Sequence, residues 1–134
     1  HEAAGALLEL TNLSHPETLF VFFRDAVEQY LGVIGDCEAR LLAQLRLVPA
    51  FENFSALGDV IGWWEALFAK TGLEAKIRES MVELKPSLDK VHDHVFQRVY
   101  SDKVWINKES PLPLGEQAIR NLIERSLNRF GLSS

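Results

Sequence analysis

The sequence contains one cysteine, one methionine and no apolar run long enough to cross a membrane. Cys37 therefore has no partner for an intramolecular disulfide, and a single thiol cannot build a zinc site. Because Cys37 lies between Asp36 and Glu38, whose charges disfavour the thiolate, we interpret it as a small buried hydrophobic residue rather than a nucleophile. An unpaired cysteine also favours a cytoplasmic location.

The sequence also lacks the short motifs that mark common catalytic and cofactor sites. It has no phosphate-binding loop, dinucleotide-binding glycine pattern, zinc-protease motif, EF-hand loop or nucleophile elbow. No glutamate is followed three residues later by a histidine, which excludes the four-helix di-iron class. These absences provide no catalytic residue, metal ligand set or cofactor, so we expect a protein that is not an enzyme.

Composition and charge are those of a globular domain with an uneven distribution of charge. The 134 residues are 47% hydrophobic and 25% charged, and the net charge is −5. Residues 1–67 hold ten acidic and three basic residues, whereas residues 68–134 hold nine acidic and eleven basic ones. We expect the two halves to attract each other within one fold. The basic surplus of the second half is too small for a nucleic-acid-binding domain, so nucleic acid is excluded as a partner.

Apolar residues recur at spacings of three and four along most of the chain, and no useful length alternates as a half-buried strand would. The pattern predicts an all-α, single-domain bundle of five or six helices over residues 1–134. Ser14 followed by Pro16 marks the start of one helix, and Gly131 fits the C-terminal cap of the last. The apolar run at 19–23 is also compatible with a short buried strand, but we favour a helix.

Two helices in the middle of the chain carry clear apolar stripes. One is predicted to begin at the cap residue Ser55 and to carry the residues Leu57, Val60, Ile61, Trp64, Leu67 and Phe68 on its stripe. The other is predicted to end near Leu47, before Pro49, with Leu41, Leu45 and Val48 on one face.

Aromatic residues supply the candidate partner surface. Trp63 and Trp64 are adjacent, so on a helix their rings point about 100° apart and cannot both enter one core layer. Trp64 belongs to the apolar stripe, whereas Trp63 lies at its side, and tryptophan is enriched at binding hot spots. The helix after Pro16 is apolar around most of its circumference, and we expect part of it to face a partner. The predicted partner-binding residues are Trp63, Phe20, Phe23 and Trp105.

Histidines and paired carboxylates are the remaining candidates for chemistry. His92 and His94 lie about 200° apart on a helix and cannot bind one metal together, although His92 alone could serve as an axial haem ligand. The pair formed by Asp25 and Glu28 is at helical spacing, but the neighbouring Arg24 indicates a solvated, salt-bridged face rather than an acid/base site.

We interpret the chain as a non-enzymatic α-helical protein-interaction or regulatory domain, whose partner is another protein or a second copy of itself. The alternative is a ligand-binding sensor that holds an apolar molecule or haem between its helices, with His92 and Trp64 as the ligand-binding residues. A third interpretation is a groove for an amphipathic or proline-rich peptide, with residues 110–114 as a docking segment in the reverse direction.

Overall fold

A computed structural model describes residues 1–100 and 114–132, which form α-helices and short 3-10 turns with no strand among them. The all-α class is therefore confirmed, with one more helix in the described residues than the larger predicted count. The 3-10 turns are Pro49–Phe51 and Lys85–Ser87. The α-helices are α1 (Glu2–Leu8), α2 (His15–Leu31), α3 (Cys37–Leu45), α4 (Asp59–Phe68), α5 (Leu73–Val82), α6 (Leu88–Tyr100) and α7 (Glu116–Arg129).

Four helices close into a ring around the main core. Helix α1 packs against α2 and α6, and α7 packs against the same two helices, while α5 adds a further contact to α2. We call these five helices the bundle. Burial of their apolar faces is the main stabilising contribution to the fold. The fully buried side chains include Ala6, Leu7, Val21, Ile77, Met81, Val95, Ile123, Leu127 and Leu132.

The predicted ends of α2 and α7 are confirmed by their hydrogen bonds. The backbone N–H of Ser14 donates to the Glu17 carboxylate at 2.7 Å, which caps the first turn of α2. At the other end of the chain, Gly131 has φ +88°, and the N–H of Leu132 donates to the carbonyl of Leu127 at 3.0 Å. This is the Schellman arrangement, for which glycine is favoured because it has no Cβ.

The predictions for α3 and α4 were wrong in detail. Helix α4 begins at Asp59 rather than Ser55, because the Asp59 carboxylate accepts hydrogen bonds from the Ser55 and Ala56 backbone N–H groups and closes a separate turn. Helix α3 ends at Leu45 instead of near Leu47, and Leu41 on its predicted apolar face is 47% exposed. That face is uncovered because α3 lies at the edge of the molecule.

Cys37 is exposed, which corrects the prediction of a buried residue. It is the first residue of α3, and this edge helix buries only Leu42. A small hydrophobic side chain at that position has no neighbouring helix to cover it. Cys37 is therefore exposed for the same reason as Leu41.

Ion pairs connect the two halves of the chain, whose charges are unevenly distributed. The Arg98 guanidinium contacts the Glu9 carboxylate at 2.6 Å, and together with His94 it lowers the pKa of Glu9. Each such pair joins an acidic residue of the first half to a basic residue of the second, as expected from the sequence. The pairs are Glu2–Arg98, Glu9–Arg98, Glu9–His94, Glu17–Lys76 and Asp25–Arg129.

Candidate functional site

Residues 33–70, which we call the edge segment, lie outside the ring of helices. The segment comprises α3, the turn Pro49–Phe51 and α4. Its buried apolar residues are only Leu42, Leu57 and Ile61, and none of them belongs to the main core cluster. The edge segment is therefore a small satellite structure that depends on the side of α2 for its packing.

An aromatic stack attaches the edge segment to the bundle. The Trp64 ring lies 4.4 Å from the Phe23 ring and 4.9 Å from the Phe68 ring, measured between centroids. Phe20 contacts Phe68 at 5.3 Å and extends the stack to Phe130, just after α7, at 6.1 Å. Two predicted partner residues, Phe20 and Phe23, and the predicted ligand residue Trp64 are thus brought together, but they are half-buried and contact each other.

The indole of Trp64 is incompletely satisfied in this stack. Its Nε1 atom is buried, and no hydrogen-bond acceptor reaches it from the described residues. A buried donor left without an acceptor costs about 1–3 kcal/mol. The stack therefore holds the edge segment less firmly than its aromatic area alone would indicate.

Trp63 lies apart from this stack, as its position beside the apolar stripe indicated. Its ring packs edge-on against Phe51 at 4.8 Å, and Phe51 stacks on Phe54 at 5.0 Å. One turn further along α4, Leu67 is 53% exposed. Half-buried Trp63 and exposed Leu67 therefore form an outer apolar strip on α4. The fourth predicted partner residue, Trp105, lies outside the described residues.

The α2–α3–α4 groove is an open apolar depression with a volume of about 320 Å³. Almost all of its lining is apolar, and it opens beside the exposed side chain of Leu41. Such a surface resembles the grooves that accept the apolar face of a helix. The groove is lined by Ala26, Val27, Tyr30, Leu31, Ile34, Leu41, Leu57 and Val60.

A second depression, which we call the aromatic cleft, lies on the other side of the stack between α2, α4, α5 and α7. Its volume is about 720 Å³. The floor is aromatic, and arginines and glutamates stand at its rim. The lining includes Phe20, Trp64, Phe68, Leu73 and Phe130, together with Arg24, Glu65, Glu74, Arg78 and Arg129.

Asp25 is buried, which corrects its predicted place on a solvated face. Its side chain is 1% exposed and accepts hydrogen bonds from the Ser126 hydroxyl and from the Arg129 guanidinium, both at 2.8 Å. A signal for this was present in the sequence, because Asp25 shares the spacing of the buried residues Thr18, Val21 and Phe22. Arg24, by contrast, pairs with Glu28 on the surface as expected.

No family model, curated protein or solved structure matches this chain. Its function is therefore inferred from its own sequence and structure.

His92 lies in a different place from Trp64, so the two predicted ligand residues do not line one cavity. His92 borders a groove of about 500 Å³ between α6 and α7, where its neighbours include Asp93, Arg120 and Glu124. Leu88, Phe96 and Ile123 line the same groove, so charged and apolar side chains are mixed around His92. Among residues 1–100 and 114–132, no group of three or more histidine, cysteine or acidic side chains is placed to hold a metal ion.

The α-helices within residues 1–100 and 114–132 are 7 to 17 residues long. None of them has both the length and the hydropathy that a membrane crossing requires.

Proposed function

We propose that this chain is a non-enzymatic protein-interaction domain that binds an amphipathic helix of another protein in the α2–α3–α4 groove. The observation that carries the proposal is the position of its exposed apolar side chains. Five of the eight large hydrophobic residues that are exposed in the described residues lie in the edge segment, and one of them, Leu41, lines the groove. They are Val33, Leu41, Leu47, Val48 and Leu67. Apolar surface concentrated in this way marks interaction sites.

The charge around the groove favours a basic partner. The edge segment, residues 33–70, contains five acidic residues against two arginines and one lysine. One of the arginines, Arg46, donates its Nε–H to the Phe54 carbonyl at 2.7 Å and is held on its own segment. A helix with leucines on one face and lysines on the other would match both the apolar lining and the acidic surroundings.

The predicted partner residues have different roles in this proposal. Phe20 and Phe23 act indirectly, since they position α4 beside the groove through the aromatic stack. Trp63 and Leu67 extend the apolar surface along the outer side of α4. Leu41 is the residue that we expect to contact the partner directly, because it lines the groove and is exposed.

A pair of synthetic helices tests the proposal. One peptide carries leucines at positions i, i+3, i+4 and i+7 with lysines elsewhere, and its match carries glutamates in place of the lysines. We expect the lysine peptide to bind at least about tenfold more tightly, as measured by fluorescence anisotropy, because its charges complement the acidic edge segment. Equal affinities for the two peptides would contradict the choice of a basic partner.

A matched pair of variants locates the binding. Leu41→Glu places a charge in the groove, whereas Val82→Glu makes the same change at an exposed apolar residue of α5, away from it. We expect only Leu41→Glu to remove peptide binding. Native mass spectrometry of the unmodified protein adds a control for self-association. A dimer that Leu41→Glu dissolves would assign the groove to a second copy instead of a basic helix.

A further inference from the structure

We propose that the aromatic cleft is a second binding site, which takes a small amphiphilic carboxylate. The apolar body of this ligand would lie on the aromatic floor, and its carboxylate would contact Arg78 and Arg129. None of the residues that line this cleft also lines the α2–α3–α4 groove. The inference therefore goes beyond the proposed interaction function, and the variants that test the two sites, at Leu41 and at Arg78, each change a residue that lines only one of them.

The size and floor of the cleft suit a small apolar group. A volume of about 720 Å³ falls within the usual range for small-molecule sites. The Phe20 ring meets the Phe68 ring at 69° and the Phe130 ring at 64°, so ring edges and faces both contribute to the floor. Aromatic rings in such mixed orientations offer favourable contacts to another flat apolar group.

Arg129 is a cation held in place at the cleft. One nitrogen of its guanidinium donates to the buried Asp25 carboxylate, while 29% of the Arg129 side chain remains exposed. A guanidinium has five N–H donors, so this single bond leaves donors for another anion. Burial of the Asp25 charge is costly in itself. The buried pair would serve function by keeping Arg129 directed at a ligand.

Arg78 also borders the cleft, beside the same aromatic floor. Its guanidinium carbon lies 6.0 Å from the Phe130 ring centroid, and within the described residues it pairs with Glu74, one turn earlier on α5. Both side chains of that pair are exposed, and exposed pairs of this spacing contribute only a few tenths of a kcal/mol. A ligand carboxylate can therefore replace Glu74 at Arg78 with little loss.

Unused arginine donors, rather than net charge, favour an anion in the cleft. Three arginines and two glutamates border it, and Arg24 already contacts Glu65 and Glu28. Arg78 and Arg129 are the two cations with donors to spare. A carboxylate suits them because a guanidinium can bind both of its oxygens at once.

The probe for this site is 2-naphthoate, with the neutral 2-naphthamide as its match. Binding is followed by NMR through the indole N–H signal of Trp64, assigned with a Trp64→Phe variant. We expect naphthoate to shift this signal and to bind about tenfold more tightly than the amide, since a charge-assisted hydrogen bond is lost in the amide. Equal affinities, or no shift of the Trp64 signal at millimolar naphthoate, would overturn the proposal.

Two arginine variants separate the cleft from general surface charge. Arg78→Gln removes a cation of the cleft, and Arg120→Gln removes one that is also paired with a glutamate one turn earlier, is similarly exposed and lies against the Phe96 ring. Neither residue is buried, so both variants are expected to fold. Arg78→Gln should weaken naphthoate binding about tenfold, with no change for Arg120→Gln. Equal weakening by the two variants would reject the cleft as the site.

Discussion

The bundle and the edge segment are both rich in apolar residues, but they place them differently. In the bundle, side chains such as Leu7 and Leu127 are fully enclosed by neighbouring helices. In the edge segment, Leu41 and Leu67 occupy comparable positions on amphipathic helices and remain about half exposed. Helical periodicity therefore shows that a helix has an apolar face, whereas the packing of the whole chain decides whether that face is covered. Where it is not covered, the face is available to a partner.

The largest expected effect comes from truncation of the core of the bundle. Leu127→Ala removes a fully buried side chain of α7 and should lower the free energy of unfolding by about 4 kcal/mol, because the cavity is only partly filled by its neighbours. Leu41→Ala is the matched change in the edge segment and should cost less than about 0.5 kcal/mol. Urea denaturation measures both. Similar losses for the two variants would show that the edge segment belongs to the core.

Removal of the Asp25 carboxylate should have the next largest effect. Asp25→Ala leaves the Arg129 guanidinium and the Ser126 hydroxyl without their partner and should cost about 3 kcal/mol, the low end for a broken buried pair because Arg129 is partly exposed. Arg24→Ala breaks the exposed pairs of the same helix with Glu28 and Glu65 and serves as the control, with a loss below about 1 kcal/mol. Thermal unfolding compares the two variants.

A third change should separate the two regions. Trp64→Ala removes the centre of the aromatic stack and should release α4 while the bundle stays folded. A local loss of about 2 kcal/mol corresponds to roughly thirtyfold faster amide hydrogen exchange in α4. Exchange in α6, measured in the same experiment, should not change. Faster exchange throughout the molecule would mean that the stack supports the bundle as well.

Acid should affect the two regions through different carboxylates. Arg98 and His94 lower the pKa of Glu9 in the bundle. The Ser55 and Ala56 N–H groups lower the pKa of Asp59, the first residue of α4. A carboxylate with a lowered folded pKa stabilises the native state above its unfolded pKa, and this contribution is lost as the pH falls through the folded value. Both contributions should therefore be present at neutral pH and disappear below about pH 4.

The variants Glu9→Gln and Asp59→Asn test this smallest effect. Glu9→Gln should reduce the acid sensitivity of global unfolding, because its contacts join α1 to α6. Asp59→Asn should change hydrogen exchange only near the start of α4. Unfolding curves at pH 7 and pH 3 provide the first comparison, and exchange at the same two pH values provides the second. An unchanged pH dependence in the Glu9 variant would assign the acid sensitivity to other groups.

The sequence predicted most of the fold because its signals were local. The capping residue Ser14, the terminal Gly131 and the buried valines of α6 each act within one or two helical turns. The exposure of Leu41 and Cys37 depends on which helices lie next to α3, and no local pattern contains that information. The start of α4 was misplaced because the Asp59 side chain replaces the expected Ser55 cap.

The candidate sites were less predictable, since each is built from residues far apart in the chain. The aromatic cleft combines Phe20, Trp64 and Phe130, which share no motif. Arg129 is held at the cleft by its hydrogen bond to Asp25, which lies 104 positions earlier in the chain. The aromatic residues were correctly singled out by their type, but their mutual contacts in the stack arise only from the tertiary arrangement. His92 was singled out by its type as well, and its mixed surroundings were not visible in the sequence.

The closure of the ring of helices has a consequence for biosynthesis. The ring closes when α6 packs against α1, and the Glu9–Arg98 contact at this junction joins residues 89 positions apart. A ribosome that adds about 5–20 residues per second needs on the order of ten seconds to make the chain between these two positions. During that interval the apolar side of α1 lacks its partner from α6. The nascent chain therefore passes through a window in which a chaperone would compete with aggregation for the same apolar surface.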